Sequence, residues 1–243
     1  MKQNPSLIAL VTGATDGIGK ETARQLAEKG VAVIIGARNL EKGQSVVAEF
    51  KAMGLDVETV QLDITDEVSV EQAAQTVDAR YGRLDILVNN AGMSVDRGPL
   101  SELPVQDLIA LFETNVFGTF RTTQRFLPLI RRSGHGRIVN VTSSLGSLWT
   151  MTDETSPYYQ VSLPSYAASK AVLNVLTVQL ARELKESGIK VNAVEPGLTA
   201  TRYITMPGAQ PVEVGAEASV HYALIGDDGP TGGFFDRHGP YKW

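Results

Sequence analysis

Tyr166 and Lys170 stand four residues apart in Tyr166-Ala167-Ala168-Ser169-Lys170, a spacing that puts two side chains on one face of a helix. A phenol ordinarily ionises near pH ~10 and is a poor acid or base at neutrality; an ammonium beside it favours the phenolate and lowers that value. In isolation such a pair reads equally well as a surface contact. What precedes it tips the reading toward chemistry. Asn140-Val141-Thr142-Ser143-Ser144 closes a β-rich run with a cluster of hydroxyls, at the kind of strand end where open α/β sheets place their ligand crevice. Earlier still, Thr12-Gly13-Ala14-Thr15-Asp16-Gly17-Ile18-Gly19 joins an apolar run to a helical stretch. Glycines in such a turn let the backbone approach a pyrophosphate, and the first N–H groups of the helix face that anion. The spacing is not GxGxxG, and a turn used only for packing is the alternative. The second apolar run ends in Ile35-Gly36-Ala37-Arg38. An acid at that end would bind an adenosine 2′-hydroxyl, whereas an arginine suits a 2′-phosphate. NADP(H) is therefore favoured and NAD(H) is the alternative, as is a surface arginine paired with Asp16.

The elements that must position these residues alternate. β-rich runs at 7–12, 32–36, 57–61, 86–89, 137–142, 190–194 and 234–235 are mostly continuous apolar segments, as strands buried on both faces are. Between them, helical periods cover 19–28, 40–53, 68–80, 105–130, 165–186 and 216–224. This predicts an α/β fold: one doubly wound, Rossmann-type parallel sheet of about seven strands flanked by helices, in a single domain over residues 1–243. Two stretches break the pattern. Residues 148–164 hold two prolines and few charges, and residues 199–212 hold two prolines and a glycine. Loops of such length in a compact domain are usually functional.

Six motifs in one order, TGxxxGIG at 12–19, Asn89-Asn90-Ala91-Gly92, Asn115, the serine after the fifth strand, YxxxK and Pro196-Gly197, resemble the short-chain dehydrogenase/reductase family, and within it a carbonyl-reductase-like member. The resemblance implies a tetrad. Tyr166 would protonate a carbonyl oxygen in reduction or take the proton in alcohol oxidation; Ser143 would hydrogen-bond that oxygen. Lys170 would hold the nicotinamide ribose and lower the tyrosine pKa, and Asn115 would fix a water linking Lys170 to solvent. Alignment with the family selects Ser143, with Thr142 and Ser144 as substitutes. For the cofactor, the resemblance implies contacts from Gly13, Thr15, Asp16, Gly17, Ile18 and Gly19, from Arg38, and from Asp63 and Ile64 beside the adenine. It implies further contacts from Asn89, Ala91, Gly92, Tyr166 and Lys170, with Pro196, Gly197 and Thr199 around the nicotinamide amide and Thr201 near the pyrophosphate. Asp63 reads equally as a loop acid at a helix start, and Asn89-Asn90 as a turn that stabilises the sheet. Ser143 and Tyr166 are 23 residues apart, about twice the family's usual spacing. The extra stretch at 148–164, with Trp149, Met151, Tyr158 and Tyr159, resembles an insertion at the substrate mouth; those side chains either pack on an apolar substrate or only pin the loop. The segment after Pro196-Gly197 is short, which implies a reduced lid.

Composition excludes other chemistries. There is no cysteine, so thiol nucleophiles, disulfides and thiolate metal sites are out. His135, His221 and His238 are isolated from one another and no metal site is expected. A net charge of −5 provides no general attraction to nucleic acid or anionic membrane; Arg131, Arg132 and Arg137 read as a solvated helix end. Hydrophobic residues at 43% and charged residues at 20% describe a globular chain. Met1–Ser6 is polar and the apolar run after it is short, so neither a signal peptide nor a membrane span is expected and the location is cytoplasmic. The expected partner is a small-molecule carbonyl or alcohol substrate. Resemblance implies a homodimer or homotetramer through the helices at 105–130 and 165–186, with Leu108, Phe112, Val116, Val172, Leu176 and Leu180 on them, unless the insertion blocks that surface. An NAD-dependent alcohol dehydrogenase uses the same tetrad in reverse. A non-catalytic dinucleotide sensor has no need of the full tetrad, and a methyltransferase has no use for YxxxK.

Overall fold

The computed structural model describes residues 7–94, 98–202 and 204–243; the Met1–Ser6 reading lies outside them. Strands β1 (Ile8–Thr12), β2 (Ala32–Ala37), β3 (Val57–Gln61), β4 (Ile86–Asn89), β5 (Arg137–Val141), β6 (Lys190–Val194), β7 (Phe234–Asp236) and β8 (Gly239–Pro240) form one sheet in the order β3-β2-β1-β4-β5-β6-β7-β8. β1 to β7 run parallel, and β8 folds back antiparallel on β7. Among the described residues the sheet has eight strands, in line with the seven or so expected; the additional one, the two-residue β8 at the far edge, has no apolar run to announce it. β1, β2, β4 and β5 are buried at every position. Helices cover both faces and create two separate cores. Phe50, Ile35, Val88 and Tyr222 belong to one, and Leu10, Leu87, Phe126 and Val191 to the other. The strand order reverses between β1 and β4, so the crevice of the sheet opens at their carboxyl ends.

Helix α1 (Gly17–Glu28) begins two residues before the expected 19, because Asp16 accepts a hydrogen bond from the Gly17 N–H at 2.8 Å and caps it. Helices α2 (Leu40–Ala52) and α3 (Glu67–Tyr81) are capped by Asn39 and Asp66. The single helix expected at 105–130 is α4 (Val105–Phe112) and α5 (Thr119–Arg131) joined by a π-helical turn at Glu113–Gly118. Such turns carry an extra residue that period alone does not reveal. In the 148–164 stretch Ser147 caps a short helix α6 (Leu148–Thr152), and Pro164 occupies the first turn of α7 (Pro164–Glu183). The helix expected at 216–224 is α9 (Glu217–Ala223), preceded by a separate short helix α8 (Val212–Gly215). The arginine trio is corrected as well: Arg137 is enclosed in β5 and pairs with Asp227 at 2.7 Å, while Arg131 and Arg132 pair with Glu183 and Asp78. No helix among the described residues is long and apolar enough to cross a membrane.

Candidate active site

β1 delivers Thr12 to a turn in which Gly13 and Gly17 have φ of +63° and +54°, values that L side chains adopt only with strain. The turn is tied to the end of β4. The Thr12 hydroxyl accepts the Asn90 and Ala91 N–H groups at 3.0 Å, and the Asn90 amide donates to the Thr12 carbonyl at 2.9 Å. A Cβ on Gly19 would lie 2.2 Å from that amide nitrogen, so helix and strand end approach as closely as glycine allows. Thr201 stands across the turn, its methyl 3.4 Å from where a Gly17 Cβ would be. Arg38 is exposed between β2 and α2. Asp16 is spent on its helix cap, and among the described residues no ion pair joins it to Arg38. Asp63 closes its own turn by accepting from the Thr65 N–H and hydroxyl, and the Ile64 carbonyl receives Arg121. Asn89 is turned into the sheet, where its amide donates to Thr123 and Asn140, both at 2.9 Å.

The chemical groups gather at the ends of β5 and β6. Lys170 is 4% exposed and donates to the Val141 carbonyl at 2.8 Å; its ammonium lies 5.5 Å from the centre of the Tyr166 ring. Of the three neighbouring hydroxyls, Ser143 is the one hydrogen-bonded to Tyr166. Thr142 is turned to the Val194 carbonyl, and Ser144 to Glu195 and Tyr158. Burial pushes Tyr166 up to about 12, with Glu195 adding to it and the Ser143 bond opposing. Burial is the dominant influence on the phenol in the chain alone. Lys170 itself is pulled down to about 8 by the same burial, with Glu195 opposing.

Asn115 sits in the π turn, fully enclosed. Its oxygen accepts the Met93 N–H at 2.8 Å, and its nitrogen donates to the Met93 carbonyl and the Ser169 hydroxyl at 2.9 and 3.0 Å. Both Asn115 and Lys170 face Gly92: a Cβ there would stand 3.3 Å from the amide oxygen and 3.5 Å from the ammonium. Pro196, Gly197 and Thr199 form a turn after β6 in which the Thr199 hydroxyl donates to the Gly197 carbonyl at 3.0 Å. The stretch at 148–164 is held from two sides. Tyr158 reaches Ser144 and the Leu198 backbone, and Trp149 lies under Lys242 with its backbone N–H on the Trp243 carbonyl.

One residue escaped the sequence reading. Glu195 is 7% exposed and accepts from the Ser144 and Gly197 backbone N–H groups. Its signal was available: an acid directly follows the apolar strand Val191-Asn192-Ala193-Val194. Burial pushes its carboxyl up to about 7.

A family model described as short chain dehydrogenase matches residues 7–207. Short-chain dehydrogenase anuI of Penicillium roqueforti is 36% identical over 225 residues, 90% of this chain and 89% of that protein. (−)-Isopiperitenone reductase of Mentha piperita is 34% identical over 94% of this chain and 96% of its own length. Among solved structures, an actinorhodin polyketide ketoreductase with NADPH superposes with a TM-score of 0.84 at 30% identity, covering 97% of each chain.

Replacing Asn115 with Leu leaves the Met93 N–H and carbonyl without their partner. The expected loss is about 2–3 kcal/mol of unfolding free energy, the cost of stranding buried polar groups. Urea denaturation measures it, and a loss below ~0.5 kcal/mol would mean that the amide clamps nothing.

Proposed function

The chain belongs to the short-chain dehydrogenase/reductase family of oxidoreductases, and on that premise we propose that it transfers a hydride between NADP(H) and a carbonyl or secondary-alcohol substrate, as a carbonyl-reductase-type enzyme with Tyr166 as its acid and base. The observation that carries this reading is the Ser143–Tyr166 hydrogen bond beside the enclosed Lys170 ammonium.

The residues fit a nicotinamide dinucleotide. Lys170 has three donors and spends one on Val141, and the missing Cβ of Gly92 leaves open the space that Lys170 and Asn115 both face. Gly13, Thr15, Asp16, Gly17, Ile18, Gly19 and Thr201 would surround the pyrophosphate at the positive end of α1. Asp63 and Ile64 would lie beside the adenine, Arg38 would take a 2′-phosphate, and Asn89, Ala91, Gly92, Pro196, Gly197 and Thr199 would line the nicotinamide half. Bound there, the nicotinamide gives or takes the hydride. Tyr166, held in its protonated form by burial and by Glu195, is ready to donate its proton to the carbonyl oxygen during reduction. Ser143 donates a hydrogen bond to the same oxygen as charge develops on it. Lys170 then favours the phenolate left behind, and Asn115 holds a water between Lys170 and solvent. We read residues 148–164 as an insertion forming the substrate mouth of a single domain, with Trp149 and Tyr158 pinning it and Tyr159 exposed toward a substrate.

The same premise supports a homodimer or homotetramer of a cytoplasmic enzyme. Val105, Ile109, Phe117 and Phe120 on the α4–α5 run and Val175 on α7 are exposed apolar side chains, which an isologous contact would cover. They differ from the residues expected from sequence: Val116 is buried, and Leu108, Phe112, Val172, Leu176 and Leu180 are half-buried.

Tyr166→Phe should leave NADPH binding within about twofold and lower carbonyl reduction by roughly 10² or more, followed as absorbance loss at 340 nm across a panel of ketones and aldehydes. A variant that keeps most of its turnover removes Tyr166 as the acid. Arg38→Ala should weaken NADPH by about 1.5–3 kcal/mol, the range of a charged hydrogen bond, and leave NADH nearly unchanged in fluorescence titrations. Equal losses for both would remove the phosphate role and leave NAD(H). Sedimentation velocity at low micromolar concentration should give a species of twice or four times the 26.1 kDa chain mass; a single species at the chain mass overturns the oligomer.

A further inference from the structure

Glu195 exchanges no proton with the substrate in the reaction proposed above, acting on Tyr166 only through its charge, and it sits where an acid is expensive. β6 enters the core through Val191, Asn192, Ala193 and Val194, all buried, and the next side chain is this carboxyl. A carboxylate withdrawn from water must be held by donors. One of its oxygens accepts the Ser144 N–H and the other accepts the Gly197 N–H at 2.9 Å, with the Ser144 hydroxyl as a further partner. Ser144 follows Ser143, whose hydroxyl meets Tyr166 and also caps the Ser144–Gly146 turn. Gly197 belongs to the turn after β6 and has φ of +77°. A single side chain therefore spans the loops that leave two adjacent strands, β5 and β6.

We propose that Glu195 is a positioning residue for the reaction: its ionised carboxylate bridges the Ser143–Ser144 turn to the Pro196–Gly197 turn, and losing that charge releases Ser143 from its working place. The proposal rests on the hydride-transfer reading of this site. The chemistry of the bridge sets its sign. An ionised carboxylate only accepts, so both oxygens can receive an N–H. Once protonated, one oxygen carries a hydrogen and faces a backbone donor, so one arm of the bridge opens. The groups around it are Tyr166 and Lys170 of α7, Tyr158 of the insertion, Asp236 of β7 and the Ser144 hydroxyl. Burial and Asp236 push the carboxyl up, to about 7, while the Ser144 and Gly197 hydrogen bonds pull it down. The bridge should therefore close as pH rises through neutrality.

Two measurements test this. The first needs no substrate: backbone amide resonances of Ser144 and Gly197 in the full-length protein, followed by NMR from pH 5 to 9. Both should move with a shared midpoint near 7 and stay flat in Glu195→Gln. Amides that do not titrate in the wild type overturn the bridge, and this holds even if the variant folds poorly. The second is the pH profile of kcat/KM for ketone reduction with NADPH. It should fall by about tenfold from pH 8 to pH 6 in the wild type, as one required ionisation demands, and be low and flat in Glu195→Gln. A variant profile that keeps the wild-type break overturns the positioning role. If the amides titrate but no carbonyl is reduced with either cofactor, the bridge stands and the hydride-transfer reading falls.

Discussion

A sheet covered on both faces leaves its polar ends as the one place where charge can be held, and every group of the site hangs there. Lys170 is the sharpest case. Its ammonium is almost wholly enclosed, and the donor it must satisfy goes to the carbonyl of Val141, the last residue of β5. That bond draws α7 across the end of the strand, and the close contact is visible at Gly146, where a Cβ would lie 2.7 Å from the Lys170 backbone. With α7 held so near, Tyr166 one turn earlier meets Ser143 in the turn that β5 feeds.

The electrostatic character of the site follows from the same enclosure. Burial raises the phenol and the Glu195 carboxyl and lowers the ammonium, so all three groups are drawn toward their neutral forms. Glu195 opposes this at Lys170, where its charge raises the ammonium against the pull of burial. The result is a protonated phenol beside a cation, the arrangement that a proton donor to a carbonyl requires. A positively charged ring brought close by would shift the same balance toward the phenolate.

Around this centre, backbone and side-chain hydrogen bonds decide which surfaces stay rigid. The Asn115 amide is spent on Met93 and Ser169, which accounts for the π turn: the extra residue brings a buried side chain across to the loop after β4. Asn90 does the equivalent for the glycine turn at β1. Residues 148–164 are anchored by Tyr158 on one side and by Lys242 and Trp243 on the other, so a stretch without regular pattern in sequence has a defined place.

Local pattern was enough to read the strands, their parallel arrangement, the glycine turn and the helical spacing of Tyr166 and Lys170. Each of these depends on a few neighbouring residues: apolar runs for strands buried on both faces, a strand-to-helix turn for the glycines, four residues for a shared helix face. Pairing between distant segments was not legible. Which of Thr142, Ser143 and Ser144 meets the phenol depends on how the turn after β5 packs against α7, 23 residues onward from Ser143. The π turn, the two-residue β8 and the inward amide of Asn89 have no local period. Arg137 reads in sequence as a surface charge, and β5 buries it with Asp227 as its partner. Glu195 shows the division most plainly. Sequence alone marks it as an acid at the end of an apolar strand; its partners, Ser144 from β5 and Gly197 from β6, come together only when parallel strands lie side by side. A hydrogen bond needs two groups within about 3 Å, and only the folded chain determines which groups those are.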